Sequence, residues 1–379
     1  MSFSDWGKNL LGDIVDVKHG FAFKGEFFSE NPTKDILLSP GNFNIGGGFK
    51  EDKFKYYKGY YPEEYKLKEG DIIITMTDLS KEGDTLGYSA LIPKREGVNF
   101  LHNQRLGLLQ FKNSNFCREF IYWLLRWKDY QLFVVNSATG TTVKHTSPTR
   151  VKEFEFFAPP LPTQKRIASI LSALDDKIEL NRQTNQTLET IAQTLFKEMC
   201  VPKSDVLLEG WRLGKLGEIV EISSGKGLKK EQFFDVGFEV LGANGRIGYT
   251  DNFLINDEYI LTGRVGTLGT FKIVYDKVWI SDNVLAIKNI NKNSFYFTYF
   301  WLKTIDFKNL NRGSTQPLIT KTDLLNLEFF IPDKNNLEIF DFRVRPLFNA
   351  ILLNEQEIQT LINLRDSLLP KLMKGEIEI

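Results

Sequence analysis

Side chains able to make or break bonds are sparse in this sequence. His19, His102 and His145 are its three histidines, and Cys117 and Cys200 its two cysteines. They are too scattered for a metal set, a disulfide framework or a nucleophile–base–acid triad, and each reads as a packing or surface residue. There is no GxxxxGK[ST] phosphate loop, no GxGxxG and no Asn/Asp-Pro-Pro-aromatic methyltransferase signature. Gly46-Gly47-Gly48 has no helix after it, and Gly263, Gly266 and Gly269 recur every third residue, outside any nucleotide-binding pattern. The expectation is a chain with no catalytic residue, no metal and no cofactor of its own. What stands out instead are loop side chains suited to directional hydrogen bonding: Asn244, Arg246, Arg264 and Gln316, with the turns Gly140-Thr141-Thr142 and Gly313-Ser314-Thr315. Their chemistry is recognition.

The elements that hold these loops come in duplicate. WGKNLLGDIVDVKHGFAFKGEFF from Trp6 matches WRLGKLGEIVEISSGKGLKKEQFF from Trp211, 205 residues further on. Gly70 to Gly87 resembles Asn256 to Gly269, each an apolar β-type run feeding a polar loop that contains glycine. GTTVKHTSPTRVKEFEFFAPPLP from Gly140 parallels GSTQPLITKTDLLNLEFFIPD from Gly313. Phe21, Phe23, Phe27 and Phe28 read as core.

Each half then enters a long helix. After Pro159, Pro160 and Pro162 the first runs to about Met199, with Ile167, Leu171, Leu174, Ile178, Asn181, Asn185, Leu188, Ala192, Leu195 and Met199 at alternating steps of four and three. The second, in segment 333–379, carries Leu347, Ile351, Asn354, Ile358, Leu361, Arg365, Leu368 and Leu372 in the same alternation. That alternation begins just after Pro346, which either starts the helix or kinks it. Such a helix is about 55 Å long, more than a small globular domain uses, so it reads as a spacer. The fold class expected is α+β: two mixed α/β domains, residues 1–160 and 201–332, separated by long helices at 161–200 and 333–379. Those helices are expected to form an antiparallel coiled coil with pseudo-two-fold internal repetition and the termini near one end. Asn181, Asn185 and Asn354 either fix its register or face solvent in a partly open seam.

A chain of 379 residues with 42% hydrophobic and 13% aromatic residues fits this two-domain plan. The start MSFSDWGKNLL has no signal-peptide pattern, no stretch approaches a membrane span, and the two cysteines suit a reducing compartment, so the expected location is cytoplasmic. Forty-eight Lys and Arg balance 48 Asp and Glu. A nucleic-acid binder with that balance must concentrate its basic residues on one face or draw on a partner for phosphate neutralisation.

Two similar, non-identical domains on a rod of fixed length suit a target read in two separated parts. Double-stranded DNA is such a target, since its major groove returns every ~34 Å. Leu161 to Met199 resembles the central repeated region of the specificity subunits of Type I restriction-modification systems, and NEQEIQTLINLRDSLLPKLMKGEI (Asn354 to Ile377) resembles their carboxy-terminal one. The resemblance covers essentially the whole chain. It implies a target-recognition domain at each end of the helical pair and two modification subunits that use S-adenosylmethionine to methylate adenine. Restriction subunits that consume ATP join that core.

Positions alike in both halves should be framework or phosphate contacts, and loop positions that differ should read the half-sites. Thr141, Thr142, Ser314 and Thr315 fall in the first group. Lys144 and His145 against Gln316, and Thr77 and Lys81 against Arg264 and Thr267, fall in the second, with Asn244 and Arg246 suited to purine edges. Lys24 joins the candidate DNA contacts. Lys226, Lys229 and Lys230 either track phosphate or form a plain charged surface. Ile167, Leu171, Leu174, Ile178, Asn181, Leu188, Leu195, Ile351, Ile358, Leu361, Leu368 and Leu372 are assigned to the spacer and subunit contacts. The rival of another class is a coiled-coil adaptor whose end domains bind proteins, which neutral net charge favours; a fused methyltransferase is disfavoured because the repeat uses the whole chain.

Overall fold

The computed structural model describes residues 6–78, 80, 82–201, 210–265, 268–307, 318–377 and 379. The chain divides into one unit of residues 1–180 with 357–379 and another of residues 181–356. The long helices Leu161–Cys200 and Lys334–Met373 therefore each contribute to both units.

In the first unit the apolar run Ile72–Thr75 is buried along its whole length, as a strand covered on both faces must be. It sits inside an antiparallel sheet ordered Val15–His19, Leu106–Phe111, Ile72–Thr75, Ser89–Leu91. A second sheet of short strands pairs Asp35–Leu37 with Asn99–Leu101 in parallel. A two-stranded ribbon joins Gly7–Leu10 to Glu155–Ala158. The helices Arg118–Leu124 and Lys128–Asn136 bring Phe120, Trp123 and Tyr130 into a core shared with Leu11, Ile167 and Leu171, and with Leu369 and Leu372 from the end of the second long helix. Trp6 and Ile379 pack on the same core, so the described ends of the chain lie in one unit.

The second unit repeats the order. Val220–Ser224, Val284–Asn289, Tyr259–Gly263 and Phe271–Val274 form the antiparallel sheet, and Phe238–Gly242 pairs in parallel with Trp279–Ile280. Arg212–Lys215 pairs with Glu328–Ile331. The aromatic helix Phe295–Leu302 fills the core together with Phe196, Phe340 and Phe348 from the long helices.

The second long helix, expected within 333–379, runs from Lys334 to Met373, so Pro346 does not start it. Asp333 caps it: its carboxylate accepts from the Asn336 amide at 3.1 Å, and buried Leu337, Phe340 and Val344 carry the apolar spacing back a further three turns. Pro346 lies inside the helix on an exposed face, where a missing N–H costs least. Phe27 and Phe28 are not core: they are 41% and 44% exposed and lean against Tyr57 with ring centroids 6.1 and 6.2 Å away. Phe21 and Phe23 are partly buried.

All spacer positions read from the sequence are buried or partly buried. Ile167, Leu171, Leu174, Ile178, Ile358, Leu361, Leu368 and Leu372 are so in the first unit, and Asn181, Leu188, Leu195 and Ile351 in the second. Among the described residues no helix is long and apolar enough to cross a membrane.

Candidate nucleic-acid interface

In the first unit three of the expected residues converge. Lys144–His145 pairs antiparallel with Thr77–Asp78, setting Lys144 opposite Asp78 and His145 opposite Thr77. The Thr77 hydroxyl lies 3.2 Å from His145 Nδ1. Thr77 is buried, whereas His145 is exposed. The His145 amide donates to the Thr139 carbonyl at 2.8 Å, and the Thr139 amide donates back at 2.9 Å. These bonds close a turn in which Thr141 and Thr142 are exposed. Gly140 makes the turn possible: its φ is +94°, and a Cβ there would lie 2.0 Å from the Val143 carbonyl oxygen.

Asp78 anchors the loop beneath. Burial raises its carboxyl, but the Ser80 amide at 2.7 Å and the Thr85 amide and hydroxyl at 2.5 and 2.7 Å outweigh this and hold it below the usual carboxylate range. That carboxylate accepts from its own loop through both oxygens.

The hydrogen bonds of the second unit fix which positions correspond. The Thr146 amide donates to the Met76 carbonyl at 3.0 Å, and the Ile319 amide donates to the Arg264 carbonyl at the same distance. The Met76 amide donates to the Arg105 carbonyl as that of Arg264 donates to the Asn283 carbonyl, both at 2.9 Å. Arg264 therefore corresponds to Met76, one residue before the register expected from sequence. The bridge between Val265 and Leu318 takes the place of the Thr77–His145 pair. Ser147 and Thr320 then cap the following short helices by accepting from the Arg150 and Asp323 amides at 3.3 and 3.2 Å.

Arg264 is partly buried, and its Nε has no hydrogen-bond partner among the described residues. Asn244 is exposed at the turn between Phe238–Gly242 and Gly245–Thr250. Arg246 is committed: its Nη1 donates to Glu239 at 2.8 Å, and its guanidinium lies 4.9 Å from the Tyr249 ring centre. Lys24 and Lys229 are both exposed and each immediately precedes a 3₁₀ turn, Gly25–Phe27 and Lys230–Gln232 respectively. Lys226, three residues before Lys229 in the second unit, is exposed, its carbonyl accepting from Trp279 Nε1 at 2.8 Å. Lys81, Thr267, Ser314, Thr315 and Gln316 lie outside the described residues.

Sequence reasoning missed the groups that bind each globular part to the long helices. Arg126, 4% exposed, pairs with Asp175 of the first long helix, donates to the Tyr122 hydroxyl at 2.8 Å and donates through Nε to the Gly46 carbonyl at 3.0 Å. Asp175 also accepts from Arg365 of the second long helix at 2.6 Å. The Gly46-Gly47-Gly48 run thus wraps the Arg126 side chain, and a Cβ on Gly47 would stand 2.6 Å from its Cγ. In the second unit Lys303 donates to Glu189 of the first long helix at 2.7 Å, with the Tyr299 hydroxyl 3.3 Å from the same carboxylate. Tyr122 with Arg126, and Tyr299 with Lys303, are the same pattern four residues apart, and that repetition was the available signal.

The family pattern of the Type I restriction modification DNA specificity domain matches residues 4–190 and again residues 208–363. The Type I restriction enzyme HindI specificity subunit of Haemophilus influenzae is 25% identical, the match covering 99% of this chain and 100% of that one. The Type I restriction enzyme MjaIX specificity subunit of Methanocaldococcus jannaschii is 26% identical over 69% of each chain. The crystal structure of the Type I restriction-modification S subunit from M. genitalium shares the fold, with a TM-score of 0.61 at 19% identity over 97% of this chain and 96% of that one. Matched twice along its length, the chain belongs to the Type I restriction-modification DNA specificity family.

Proposed function

We propose that this chain is the non-catalytic DNA-recognition subunit of a Type I restriction-modification complex, reading a bipartite target with one domain per half-site. The observation that carries the reading is the duplicated strand order with unlike loop residues: an invariant frame suits phosphates, and variable loops suit different bases. Residues 1–160 and 201–332 are the two target-recognition domains, and segments 161–200 and 333–379 are the spacer.

The spacer is an antiparallel coiled coil holding the domains in pseudo-two-fold relation. Supporting this, in the first unit Asp175 meets Arg365 at 2.6 Å and Lys177 meets Glu357 at 3.4 Å, so positions fall along one helix as they rise along the other. In the second unit Asn354 Nδ2 donates to Asn185 Oδ1 at 2.8 Å, a polar pair of the kind that fixes register. Thr141, Thr142, Lys24, Lys226 and Lys229 meet phosphate. Lys144, His145, Asn244 and Arg264 read bases, joined by Arg246 if DNA displaces Glu239. Thr77 stands behind His145, and Lys81, Thr267, Ser314, Thr315 and Gln316 belong to the same loops.

Double-stranded DNA and two modification subunits are the partners, with restriction subunits completing the complex. Adenine methylation and DNA cleavage belong to those subunits, as do their cofactors. Neutral net charge, 48 positive against 48 negative side chains, favours the second reading, a protein-binding adaptor. Titrating the assembled complex with duplex DNA across a salt series separates the two: specific binding with a steep salt slope is expected, and indifference to DNA sequence supports the adaptor.

A further inference from the structure

The Thr77–His145 pair has a chemistry that its counterpart in the second unit lacks. Thr77 is 6% exposed, and among the described residues its hydroxyl has one partner, His145 Nδ1 at 3.2 Å. A buried hydroxyl with one acceptor in reach directs its hydrogen there, because leaving the donor unmade costs more than leaving a spare lone pair. Nδ1 is then the acceptor, and the ring proton of the neutral imidazole sits on Nε2 at the opposite edge of an exposed side chain. Three further constraints hold the backbone that carries the ring: the reciprocal bonds to Thr139 at 2.8 and 2.9 Å, the ladder to Thr77, and the turn at Gly140.

We infer that His145 Nε2–H is a base-reading donor for the first half-site, with Thr77 as its positioning residue, and that it selects an acceptor on the major-groove edge. The inference rests on the DNA-reading assignment above. Guanine suits it best, since N7 and O6 lie side by side, whereas the amino group of cytosine opposes it donor to donor. Phosphate is the other anionic or acceptor-rich partner such a donor meets. A phosphate contact, however, belongs in both halves, and the equivalent bridge in the second unit is Val265 with Leu318, which carries no side-chain donor.

The test is methylation by the purified complex, with its modification subunits and S-adenosylmethionine, of a duplex pool randomised at both half-sites and read by sequencing. His145→Ala should cut discrimination at one position of the first half-site roughly 10-fold and leave the second half-site unchanged. Thr77→Val should relax the same position by less, and Thr77→Ser should restore it. His145→Gln, which keeps a donor, should retain first-half discrimination with an altered preference. Undiminished second-half discrimination in the same reaction reports an intact complex. A uniform fall in methylation across all sequences assigns His145 to phosphate and overturns the inference, as does an unchanged motif in His145→Ala. Absence of any sequence preference in the unmodified complex overturns the DNA-reading assignment itself.

Discussion

Removing the Asp175 carboxylate should cost the first unit more than any other single charge change on its long helices. Asp175→Ala leaves the Arg126 guanidinium, whose side chain is 3% exposed, with the Tyr122 hydroxyl and the Gly46 carbonyl but no counter-charge. It also frees Arg365, which keeps Asp366 at 2.7 Å. Stranding a buried charge in this way costs about 3–5 kcal/mol. For a unit of this size that is a drop of roughly 6–20 °C in melting temperature. The neighbouring Asp176→Ala, at an exposed position, is the control and should shift the melt little. Arg126→Met combined with Asp175→Leu removes both charges and should recover most of the loss.

The same pair sets a pH dependence. Burial raises the Asp175 carboxyl, but Arg126 and Arg365 outweigh it, so its folded-state pKa is depressed. The stabilisation is then complete above the unfolded carboxyl value of about 4 and is lost as pH falls through the lower folded value. Calorimetry of the unaltered chain and both single variants across that range measures it. An Asp175→Ala loss within about 1 kcal/mol of the Asp176→Ala control would refute the reasoning, because a stranded guanidinium cannot be that cheap.

Other consequences follow from the helices. Asn354→Ala takes away the donor to Asn185 Oδ1 and should lower stability by roughly 1 kcal/mol in thermal melts, whereas Asn185→Leu with Asn354→Leu should raise the melting temperature and allow more than one helix register, visible as heterogeneous cross-links between introduced cysteines. Seven residues inserted into each long helix at matching points should widen the unread gap by about 10 Å, or roughly three base pairs, with both half-sites kept. Sequencing of methylated sites reads this directly, and an altered half-site would count against the spacer.

Much of this was legible because the strongest signals are local. The four-and-three alternation from Ile167 to Met199 needs no tertiary information, and every spacer residue it named is buried or partly buried. Pro346 left its own role open, because a proline can start or kink a helix; the start depends on the Asp333 carboxylate accepting from Asn336 and on aromatic anchors such as Phe340. The loop register slipped by one residue at Arg264 because alignment of glycines and threonines carries no hydrogen-bond information; the amide of Ile319 sets it. Phe27 and Phe28 looked like core by residue type alone, yet they lean against Tyr57 and stay 41% and 44% exposed. The Arg126–Asp175–Arg365 cluster joins residues far apart in sequence, and nothing in the spacing of single residues announces such a meeting. For the loop side chains the sequence supplied chemistry without placement, so Thr77 and His145 entered together although one is buried and the other exposed.

The modular reading is tested most directly by exchanging residues 1–160 for the equivalent domain of another member of the family and sequencing the adenines methylated by the complex. One block of the recognised motif should change while the other block and the number of unread base pairs between them stay as they were. A motif altered in both blocks, or one with no unread gap in the parent chain, would contradict the account.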